Sequence, residues 1–452
     1  MKQHDPIPAA PGALPLLGHA LPLLSDPLSF LMSLPAHGDL VRIGIGTRQA
    51  IVVCDPGLTR QVLLDGRTFD KGGPFLDAAK EVGGNGLVTC LHDQHSRQRR
   101  LVQPAFHPMR LAGYSPAMTE QIISVTETWV KGQSIDVLSE MYKLSSRVLL
   151  GTMFGTALGP AETVRAVDDL TVILSGMYAR MLMPAWVRQL PLPVNRRFHR
   201  ANSRLRKTVA ALVNEHRAHA TGAEGNRGGD LVSMLLGARD TETDGQGLSD
   251  AELADQAVSF FIAGIDTTAS LLSWTLHLLT VRPDIEHRLH AEVDTVLVGR
   301  PPAYEDIPRL QLTSRILNET LRLHPAVWLF TRTATVDTRL GEYSIPRGTT
   351  IVHSPYLIHH RPDLYRDAER FDPDRWEADT PRRDIFIPFG AGARKCIGDT
   401  FSLTEATLAL ANITSHWRFQ PLTANPVCDF PRATLRPQRL WLQAIPRGSA
   451  RN

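Results

Sequence analysis

The longest regular pattern of apolar and polar positions begins at Ser249. Residues Ser249 to Glu252 have the form of a helix capping box, and apolar positions then continue without a proline until Pro283. A helix of about 30 residues, rising 1.5 Å per residue, would be roughly 45 Å long. A helix of that length can cross a whole domain, so the pattern favours one large domain.

A different pattern precedes this helix near the N-terminus. Leu40 to Ile45 and Ala50 to Cys54 are rich in valine and isoleucine and are separated by Gly46 to Gln49, which predicts a β-hairpin. Up to about residue 75 the chain is expected to be β-rich, and the remainder shows mostly helical periodicity. The predicted fold class is therefore mainly α with small β-sheets, in a single domain of residues 1–452.

Composition limits the class of protein. Hydrophobic residues make up 43% of the 452 residues and charged residues 21%, which is typical of a globular protein with a sizeable core. The formal net charge of +3 is too small to indicate a nucleic-acid-binding protein. No nucleic-acid partner is expected.

The cysteines and the N-terminal segment bear on the cellular compartment. The four cysteines are far apart and form no CxxC pair, which argues against a disulfide scaffold and fits a reducing compartment; they are Cys54, Cys90, Cys396 and Cys428. The apolar stretch from Pro11 to Leu34 is interrupted by prolines and lacks the roughly 20 continuous apolar residues of a membrane span. It also lacks the apolar core of a signal peptide, so a cytoplasmic protein without a membrane span is expected.

The candidate chemistry lies in the segment Phe389 to Gly398. Its glycines allow the backbone to approach a flat ligand or to adopt positive φ, and a helical pattern follows Cys396, from Ile397 to Thr414. Backbone N–H groups at a helix start lower a thiol's pKa and tune a metal-bound thiolate. For a lone cysteine the alternative, a buried structural residue in a glycine-rich turn, would be favoured.

The motif as a whole carries more information than the cysteine. Five positions match the FxxGxRxCxG signature, so the chain resembles the cytochrome P450 family; they are Phe389, Gly392, Arg394, Cys396 and Gly398. The resemblance implies one large P450 fold with the long helix over the haem. It implies haem b (iron protoporphyrin IX) as cofactor, Cys396 as axial ligand of the iron, and Phe389, Arg394 and Gly398 at the cofactor, with Arg394 near a propionate.

A second family element is Glu319-Thr-Leu-Arg322, whose i, i+3 spacing places both charged side chains on one helix face. Alone, such a pair is usually a surface ion pair worth less than about 1 kcal/mol. In the family it is a buried pair joined to an arginine of the following meander, which here corresponds to Arg375. The resemblance therefore assigns these three residues to the scaffold.

A third element, AGxDTT, covers Ala263 to Thr268 in the middle of the long helix. Glycine followed by two threonines forms helix poorly, so a local bulge or kink is expected. By resemblance, Asp266 is the acid and Thr267 the alcohol that relay protons during dioxygen activation. The alternative is that the threonines donate to the carbonyl four residues earlier.

A fourth element supplies basic residues for the haem propionates. By resemblance these are His95, Arg99 and Arg332. The sequence shows no flavin, nicotinamide or iron–sulfur signature, so a separate ferredoxin and ferredoxin reductase are expected to supply electrons. Arg97, Arg100 and Lys395 could form a basic patch that attracts an acidic ferredoxin; for Arg97 and Arg100 the alternative is an exposed basic helix.

The positions that correspond to the family's distal pocket carry no charge. They are Phe75, Leu76, Met177, Tyr178, Phe260, Ala263, Val327, Trp328, Leu329 and Phe330. A hydrophobic substrate bound by shape is therefore expected, and the bulk of Trp328 and Phe330 suggests a compact pocket. Some of these residues could instead belong to the ordinary core.

The sequence favours a monomeric cytochrome P450 monooxygenase that uses O2. The stretch Pro325 to Arg332 resembles bacterial terpene-oxidising members, which implies a cyclic sesquiterpene hydrocarbon and a role in antibiotic or other secondary-metabolite biosynthesis. Polyketide, fatty acid and steroid substrates remain alternatives. So do a haem-thiolate isomerase or peroxygenase, against which Asp266 and Thr267 argue, and a haem-based sensor.

Overall fold

The structure is a computed structural model that describes residues 7–448 except 47, 156–158, 184, 221–229, 241, 243–244, 378–383 and 423–426. Helices dominate the described chain, as predicted. The first eight are α1 (Ala20–Ser25), α2 (Pro27–Ser33), α3 (Pro56–Leu64), α4 (Pro74–Gly83), α5 (His92–Val102), α6 (Pro108–Thr126), α7 (Val137–Phe154) and α8 (Pro160–Leu182). The others are α9 (Ala185–Gln189), α10 (Pro193–Ala220), α11 (Leu231–Gly237), α12 (Asp250–Val281), α13 (Pro283–Leu297), α14 (Gln311–Leu323), α15 (Pro355–His359) and α16 (Asp399–His416).

Four small sheets accompany the helices. Their strands are β1 (Leu40–Ile45), β2 (Arg48–Val53), β3 (Phe69–Lys71), β4 (Ser134–Asp136), β5 (Phe330–Ala334), β6 (Thr338–Leu340), β7 (Tyr343–Ile345), β8 (Thr350–His353), β9 (Trp417–Pro421), β10 (Asp429–Pro431), β11 (Leu435–Pro437) and β12 (Trp441–Pro446). The largest sheet has the order β1-β2-β8-β5-β3. The predicted hairpin is confirmed, because β1 and β2 pair antiparallel with Leu40 opposite Val53.

Helix α12 is the centre of the helical core. The Ser249 hydroxyl accepts from the backbone N–H of Glu252, and the Glu252 carboxylate accepts from the N–H of Ser249, so the predicted capping box and helix start are confirmed. Helix α12 packs against α7, α10, α14 and α16. It is long and apolar enough to cross a membrane, but it is mostly buried inside the protein, as the core helix of a globular domain would be.

The bulge expected at the AGxDTT segment is not observed. Every residue from Asp250 to Val281 is helical, so α12 continues through Gly264, Thr267 and Thr268 without interruption. Packing overrides the weak helix propensity, because a Cβ on Gly264 would lie 3.2 Å from Leu149 of α7. Gly264 thus permits the close approach of the two helices, and no bulge interrupts α12 there.

The ExxR pair lies in the deepest part of the scaffold. Arg322 donates from Nε and Nη2 to the two carboxylate oxygens of Glu319, each at 2.9 Å, and neither residue is exposed. Arg375 donates to Glu319 at 2.8 Å, and the Trp376 indole N–H donates to the same carboxylate at 3.0 Å. Arg322 also donates to the Ala368 carbonyl at 2.7 Å. These contacts join α14 to the meander that precedes the Cys396 loop.

A second carboxyl in the core is not compensated in this way. Glu405 of α16 is 1% exposed and its Oε1 has no hydrogen-bond partner among the described residues. Burial raises the pKa of Glu405 to about 8. The folded state therefore holds a proton on Glu405 that the unfolded chain releases at neutral pH.

This uncompensated burial predicts a pH-dependent effect of Glu405→Gln. With a folded pKa above the unfolded one, the wild type loses stability as pH rises from about 4.5 to 8, whereas the glutamine variant does not. Between pH well below 4.5 and pH 8 the variant should gain about 4 kcal/mol of stability relative to the wild type. Thermal melting at pH 5, 7 and 8 tests this, since the difference should shrink toward pH 5; a difference independent of pH would contradict it.

Candidate active site

The Cys396 loop contains two glycines of positive φ, and at one of them no side chain would fit. Gly390 and Gly392 both have φ +68°, and a Cβ on Gly392 would lie 2.4 Å from the Leu63 carbonyl oxygen at the end of α3. The backbone N–H of Cys396 donates to the Phe389 carbonyl at 2.9 Å. The loop is therefore closed on itself and fixed against α3.

The Cys396 side chain faces space rather than packed atoms. It is exposed, yet the surrounding protein raises the pKa of its thiol, as expected for a group that lines an enclosed cavity. The backbone N–H of Gly398 and the charges of Arg99 and Lys395 act in the opposite direction and lower this pKa. Gly398 is the N-cap of α16, whose observed start at Asp399 is two residues beyond the predicted one.

One face of α12 also lines open space. Ala263 is exposed and Thr267 is half-buried, although most neighbouring residues of this core helix are buried. These two residues are four apart and therefore share a face. On the next face, the Thr268 and Ser402 hydroxyl oxygens lie 3.0 Å apart, which ties α12 to α16 just after the Cys396 loop. This contact places the open face of α12 beside the helix that follows the Cys396 loop.

Positive charges crowd one edge of the site. Lys71 of β3 pairs directly with Arg332 of β5, so two basic side chains project from the same face of the sheet. Burial, followed by the charges of Arg394 and Arg332, lowers the pKa of Lys71 to about 7. Burial and Arg394 likewise lower the pKa of Arg332 to about 10. Among the described residues, Arg332 has no ion-pair partner.

The remaining basic residues come from α5 and the Cys396 loop. His95 is 4% exposed, and burial, with the charges of Arg394, Lys71 and Arg99, lowers its pKa to about 3. Arg99 donates to the Lys395 carbonyl at 2.7 Å. The predicted residues His95, Arg99, Arg332 and Arg394 are thus brought together, and Lys71 joins them.

Asp70 is the one described carboxylate that forms an ion pair with this cluster, and the charge of Asp399 acts on Arg99 without an ion-pair contact. Arg394 donates to Asp70 at 2.6 Å and to the Cys90 carbonyl at 3.0 Å, while its Nε has no partner in the described structure. Asp70 also accepts from the backbone N–H of His92 at 2.8 Å. Arg394 is therefore partly occupied as a structural link, which leaves less of its guanidinium for a ligand than the sequence implied.

His353 provides a buried polar group without a protein partner. It is 1% exposed, it stacks on Phe330 at 5.2 Å between ring centroids, and neither ring nitrogen has a hydrogen bond to a described residue. Phe330 pairs directly with His353, so both lie on the sheet face that carries Arg332. An excess of cations around one carboxylate, together with this unsatisfied imidazole, fits a planar ligand that carries two carboxylates, as haem does.

Asp266 is held away from the open Ala263–Thr267 face of α12. Its carboxylate accepts from the Tyr142 hydroxyl and, at 2.6 Å, from the Thr434 hydroxyl, and it is 1% exposed. Arg436 donates to the Tyr142 oxygen at 3.0 Å and to Ser175 of α8 at 3.1 Å. Burial, followed by the Asp266 charge, raises the pKa of Tyr142 well above its ordinary value.

The Thr267 side chain forms the backbone hydrogen bond that was the alternative to a proton-relay role. Its hydroxyl donates to the Ala263 carbonyl at 2.7 Å, and no hydrogen bond joins it to Asp266 in the described structure. The acid and the alcohol therefore occupy adjacent faces of α12 and are not in contact. A relay through both requires the Asp266 side chain to rotate.

The residues predicted to line the substrate pocket differ in how far their side chains are exposed. Leu76, Met177 and Phe260 are each 6% exposed, Ala263 is exposed, and Val327, Leu329 and Phe330 are half-buried. Phe260 packs edge-on against Phe106 with ring centroids 5.3 Å apart. The side chains of Phe75 and Tyr178 lie outside the described ones.

Trp328 does not match the pocket role expected for it. It is 3% exposed and packs in the hydrophobic cluster beneath the N-terminal segment, which contains Leu31 and Val352. Its indole N–H donates to the Arg432 carbonyl at 2.9 Å. Its bulk therefore fills core space, and it no longer supports the expectation of a compact pocket.

The basic patch expected to attract a ferredoxin is neutralised within the protein. Arg97 pairs with Glu252 at 2.7 Å, Arg100 with Asp240 at 3.0 Å, and Lys395 with Asp399 at 2.5 Å. Each cation of the patch thus has its own carboxylate. These contacts remove the physical basis for steering by these three residues.

Known proteins resemble this chain along nearly its whole length. The family model of Cytochrome P450 matches residues 8–442. Similar curated proteins are pentalenene oxygenase of Streptomyces avermitilis, 43% identical over 99% of both chains, and cyclooctat-9-en-7-ol 5-monooxygenase of Streptomyces melanosporofaciens, 44% identical over 91% of this chain and 89% of that protein. Cyclooctatin synthase of the latter organism is 43% identical over 97% of this chain and 95% of its own.

The chain belongs to the cytochrome P450 family, as its motifs implied. It is an enzyme of the P450 monooxygenase class, which binds haem iron through a cysteine thiolate and needs a redox partner, O2 and a hydrophobic substrate.

Sequence reasoning missed several residues around the site. Asp70, Lys71 and His353 border the cation cluster, and Tyr142 and Arg436 hold Asp266. The one local signal was an Asp-Lys pair after an aromatic residue on a short strand. The others come from elements far apart in sequence, and only the fold brings them together.

The cation cluster predicts that Arg332→Met weakens haem binding without destabilising the haem-free protein. Haem should dissociate about tenfold faster, because a charge-assisted hydrogen bond to a propionate is lost. The haem-free protein should lose no stability, because the charge opposite Lys71 is removed. Haem transfer to excess apomyoglobin and thermal melting measure the two effects.

Arg366→Met is the matched comparison, since Arg366 is 95% exposed. Unchanged haem dissociation in Arg332→Met would show that Arg332 does not hold the propionate.

Proposed function

We propose that this protein is a haem-thiolate monooxygenase that inserts one oxygen atom of O2 into a C–H bond of a cyclic terpene hydrocarbon. The observation that carries the proposal is the 43% identity to pentalenene oxygenase over 99% of both chains. A distal pocket bordered by Leu76, Met177, Phe260 and Ala263, none of them charged, suits a hydrocarbon that offers only shape for recognition.

The cofactor is proposed to be haem b, with Cys396 as the axial ligand of its iron. Haem with a thiolate ligand supplies the reduction and cleavage of dioxygen. His95, Arg99, Arg332 and Arg394 would hold the propionates as the resemblance implies, and Lys71 and His353 would add a second basic residue and a neutral imidazole. Phe389 and Gly398 would contact the ring from the loop.

The chain's own task in the reaction is to control protons and water. Arg436 donates to the Tyr142 oxygen, which leaves the Tyr142 hydrogen directed at the Asp266 carboxylate. In this position Asp266 cannot reach the Ala263–Thr267 face. Release of the Thr434 or Tyr142 hydroxyl would let the Asp266 carboxylate rotate toward the Thr267 oxygen, carrying a proton that it takes up from solvent water.

Several finer features belong to the same proposal. A ferredoxin and a ferredoxin reductase would supply two electrons, the protein would act as a monomer in the cytoplasm, and residues 1–452 would form one P450 domain. The relatives act on terpenes in streptomycetes, which supports a role in secondary metabolism, including antibiotic biosynthesis. A sesquiterpene is proposed on the resemblance of the stretch Pro325 to Arg332, and the equally similar cyclooctatin enzymes make a larger cyclic terpene the second candidate.

Spectra and products test the proposal together. The reduced protein with carbon monoxide should give a thiolate-type difference spectrum that Cys396→Ser abolishes. With ferredoxin, reductase and a panel of cyclic sesquiterpenes, diterpenes, fatty acids and steroids, a hydroxylated sesquiterpene should be the main product, and Thr267→Ala should consume NADPH with several-fold less product.

A histidine-type spectrum would contradict the class of enzyme. Turnover with hydrogen peroxide but none with O2 and the redox partners, fully coupled turnover in Thr267→Ala, or products only from the other substrate classes would each contradict a specific part of the proposal.

The contacts of Asp266 predict that Tyr142→Phe uncouples the reaction. Removing the phenol deprives Asp266 of one donor and Arg436 of an acceptor, so the carboxylate is no longer held in one position. Product formed per NADPH should fall several-fold, its pH dependence should shift, and the protein should lose about 1–3 kcal/mol of stability.

Tyr114→Phe is the matched control, because Tyr114 is 3% exposed and donates to the Ala105 carbonyl outside the Asp266 network. Equal coupling in both variants at every pH would show that Tyr142 only supports the fold.

A further inference from the structure

An exposed apolar segment connects α8 and α10. Four large apolar side chains lie within nine residues and are 40% to 66% exposed; they are Trp186, Leu190, Leu192 and Val194. Isolated exposed apolar residues are ordinary on protein surfaces, whereas a cluster of this kind marks an interaction surface. The segment is therefore a candidate docking site for a partner molecule or a membrane.

Hydrogen bonds hold this segment in its outward position. Asn195 is 2% exposed and its side-chain amide donates to the Val187 and Leu190 carbonyls, each at 2.8 Å. Its amide oxygen accepts from Arg180 at 2.8 Å, and Arg180 in turn pairs with Glu81 of α4 at 2.5 Å. The backbone is thus anchored from beneath, so the apolar side chains cannot turn inward without breaking buried polar contacts.

Uncompensated positive charge adjoins the apolar segment. Arg196, Arg197 and Arg200 line one open groove with Arg204, but only Arg204 has an ion-pair partner, Asp169, among the described residues. These arginines occupy the first turns of α10, which contain no acidic residue. A helix N-terminus carries partial positive charge, so this placement is electrostatically unfavourable until an anion compensates it.

We infer that residues 186–200, the Trp186–Arg200 surface, dock on an anionic lipid bilayer. Tryptophan and aliphatic side chains insert at the boundary between headgroups and acyl chains, and adjacent arginines bind lipid phosphates. The Trp186–Arg200 surface carries the apolar side chains and the arginines next to each other. This inference goes beyond the proposed function and does not depend on it.

Other occupants fit the surface less well. A second copy related by two-fold symmetry would bring the same arginines against one another. An acidic redox protein would match the charge, but α10 packs mainly on α8 and α12, whereas the Cys396 loop contacts α3. A bilayer satisfies both the cations and the apolar side chains, and an apolar substrate dissolved in it would reach the protein beside α8.

The test measures co-sedimentation of the haem-loaded protein with vesicles. It should bind vesicles of equimolar phosphatidylglycerol and phosphatidylcholine, bind phosphatidylcholine alone weakly, and lose binding at high salt. At roughly fivefold per arginine, R196E/R197E/R200E should lower the partition coefficient at least about a hundredfold. W186S/L192S should lower it about tenfold or more while keeping the dependence on anionic lipid.

Matched variants elsewhere on the protein surface distinguish specific docking from non-specific binding to vesicles. R339E/R366E removes two exposed arginines, and M109S/V298S removes two apolar side chains that are each 81% exposed. Both should bind vesicles like the wild type. Equal losses in these variants, or no preference for anionic vesicles, would overturn the inference.

Two further outcomes would also overturn it. A concentration-dependent dimer that R196E/R197E/R200E abolishes would assign the surface to a second copy. Unchanged vesicle binding in that variant, with weakened binding of a reduced ferredoxin, would assign it to a redox partner. Vesicle binding is measured without turnover, so its result is independent of which substrate the enzyme oxidises.

Discussion

The buried carboxylate of Glu319 is the constraint on which the haem-side scaffold depends. It accepts from Arg322, Arg375, Trp376 and the backbone of Asp372, which come from one helix and from a meander about fifty residues later in the chain. A buried charge without such partners is costly, so the meander must adopt this path for the core to form. The meander leads directly into the Cys396 loop, and the position of the sulfur therefore follows from this ion pair.

The positive charges at the edge of the site are, by contrast, only partly compensated by the protein. Lys71 and Arg332 face each other on paired strands, and Arg394 and Arg99 lie close by, with Asp70 as the one described carboxylate in ion-pair contact with them. Mutual repulsion and desolvation weaken this edge until an anionic ligand arrives. Haem binding and local folding are therefore coupled, since the free energy of one contributes to the other.

Sequence patterns predicted the parts of this molecule that depend on local chemistry. The capping box at Ser249, the hairpin of β1 and β2 and the helix after Cys396 required only short-range signals. The expected bulge in α12 was wrong because packing of Gly264 against α7 overrides helix propensity. Motif positions placed Asp266 and Thr267 correctly on α12, but their hydrogen bonds depend on Tyr142, Thr434 and Arg436, which no local pattern connects to them.

The crowding at Gly392 limits how this enzyme could diversify. Because a Cβ there would collide with the Leu63 carbonyl and φ is positive, natural variation cannot reshape the Cys396 loop at that position without moving α3 as well. With Ala263 in the proposed substrate pocket, adaptation to new substrates falls instead to this residue and its neighbours on α12, which can change size without moving the sulfur. With Cys396 as the proposed iron ligand, descendants of this protein should differ more in what they oxidise than in how strongly the thiolate donates to iron.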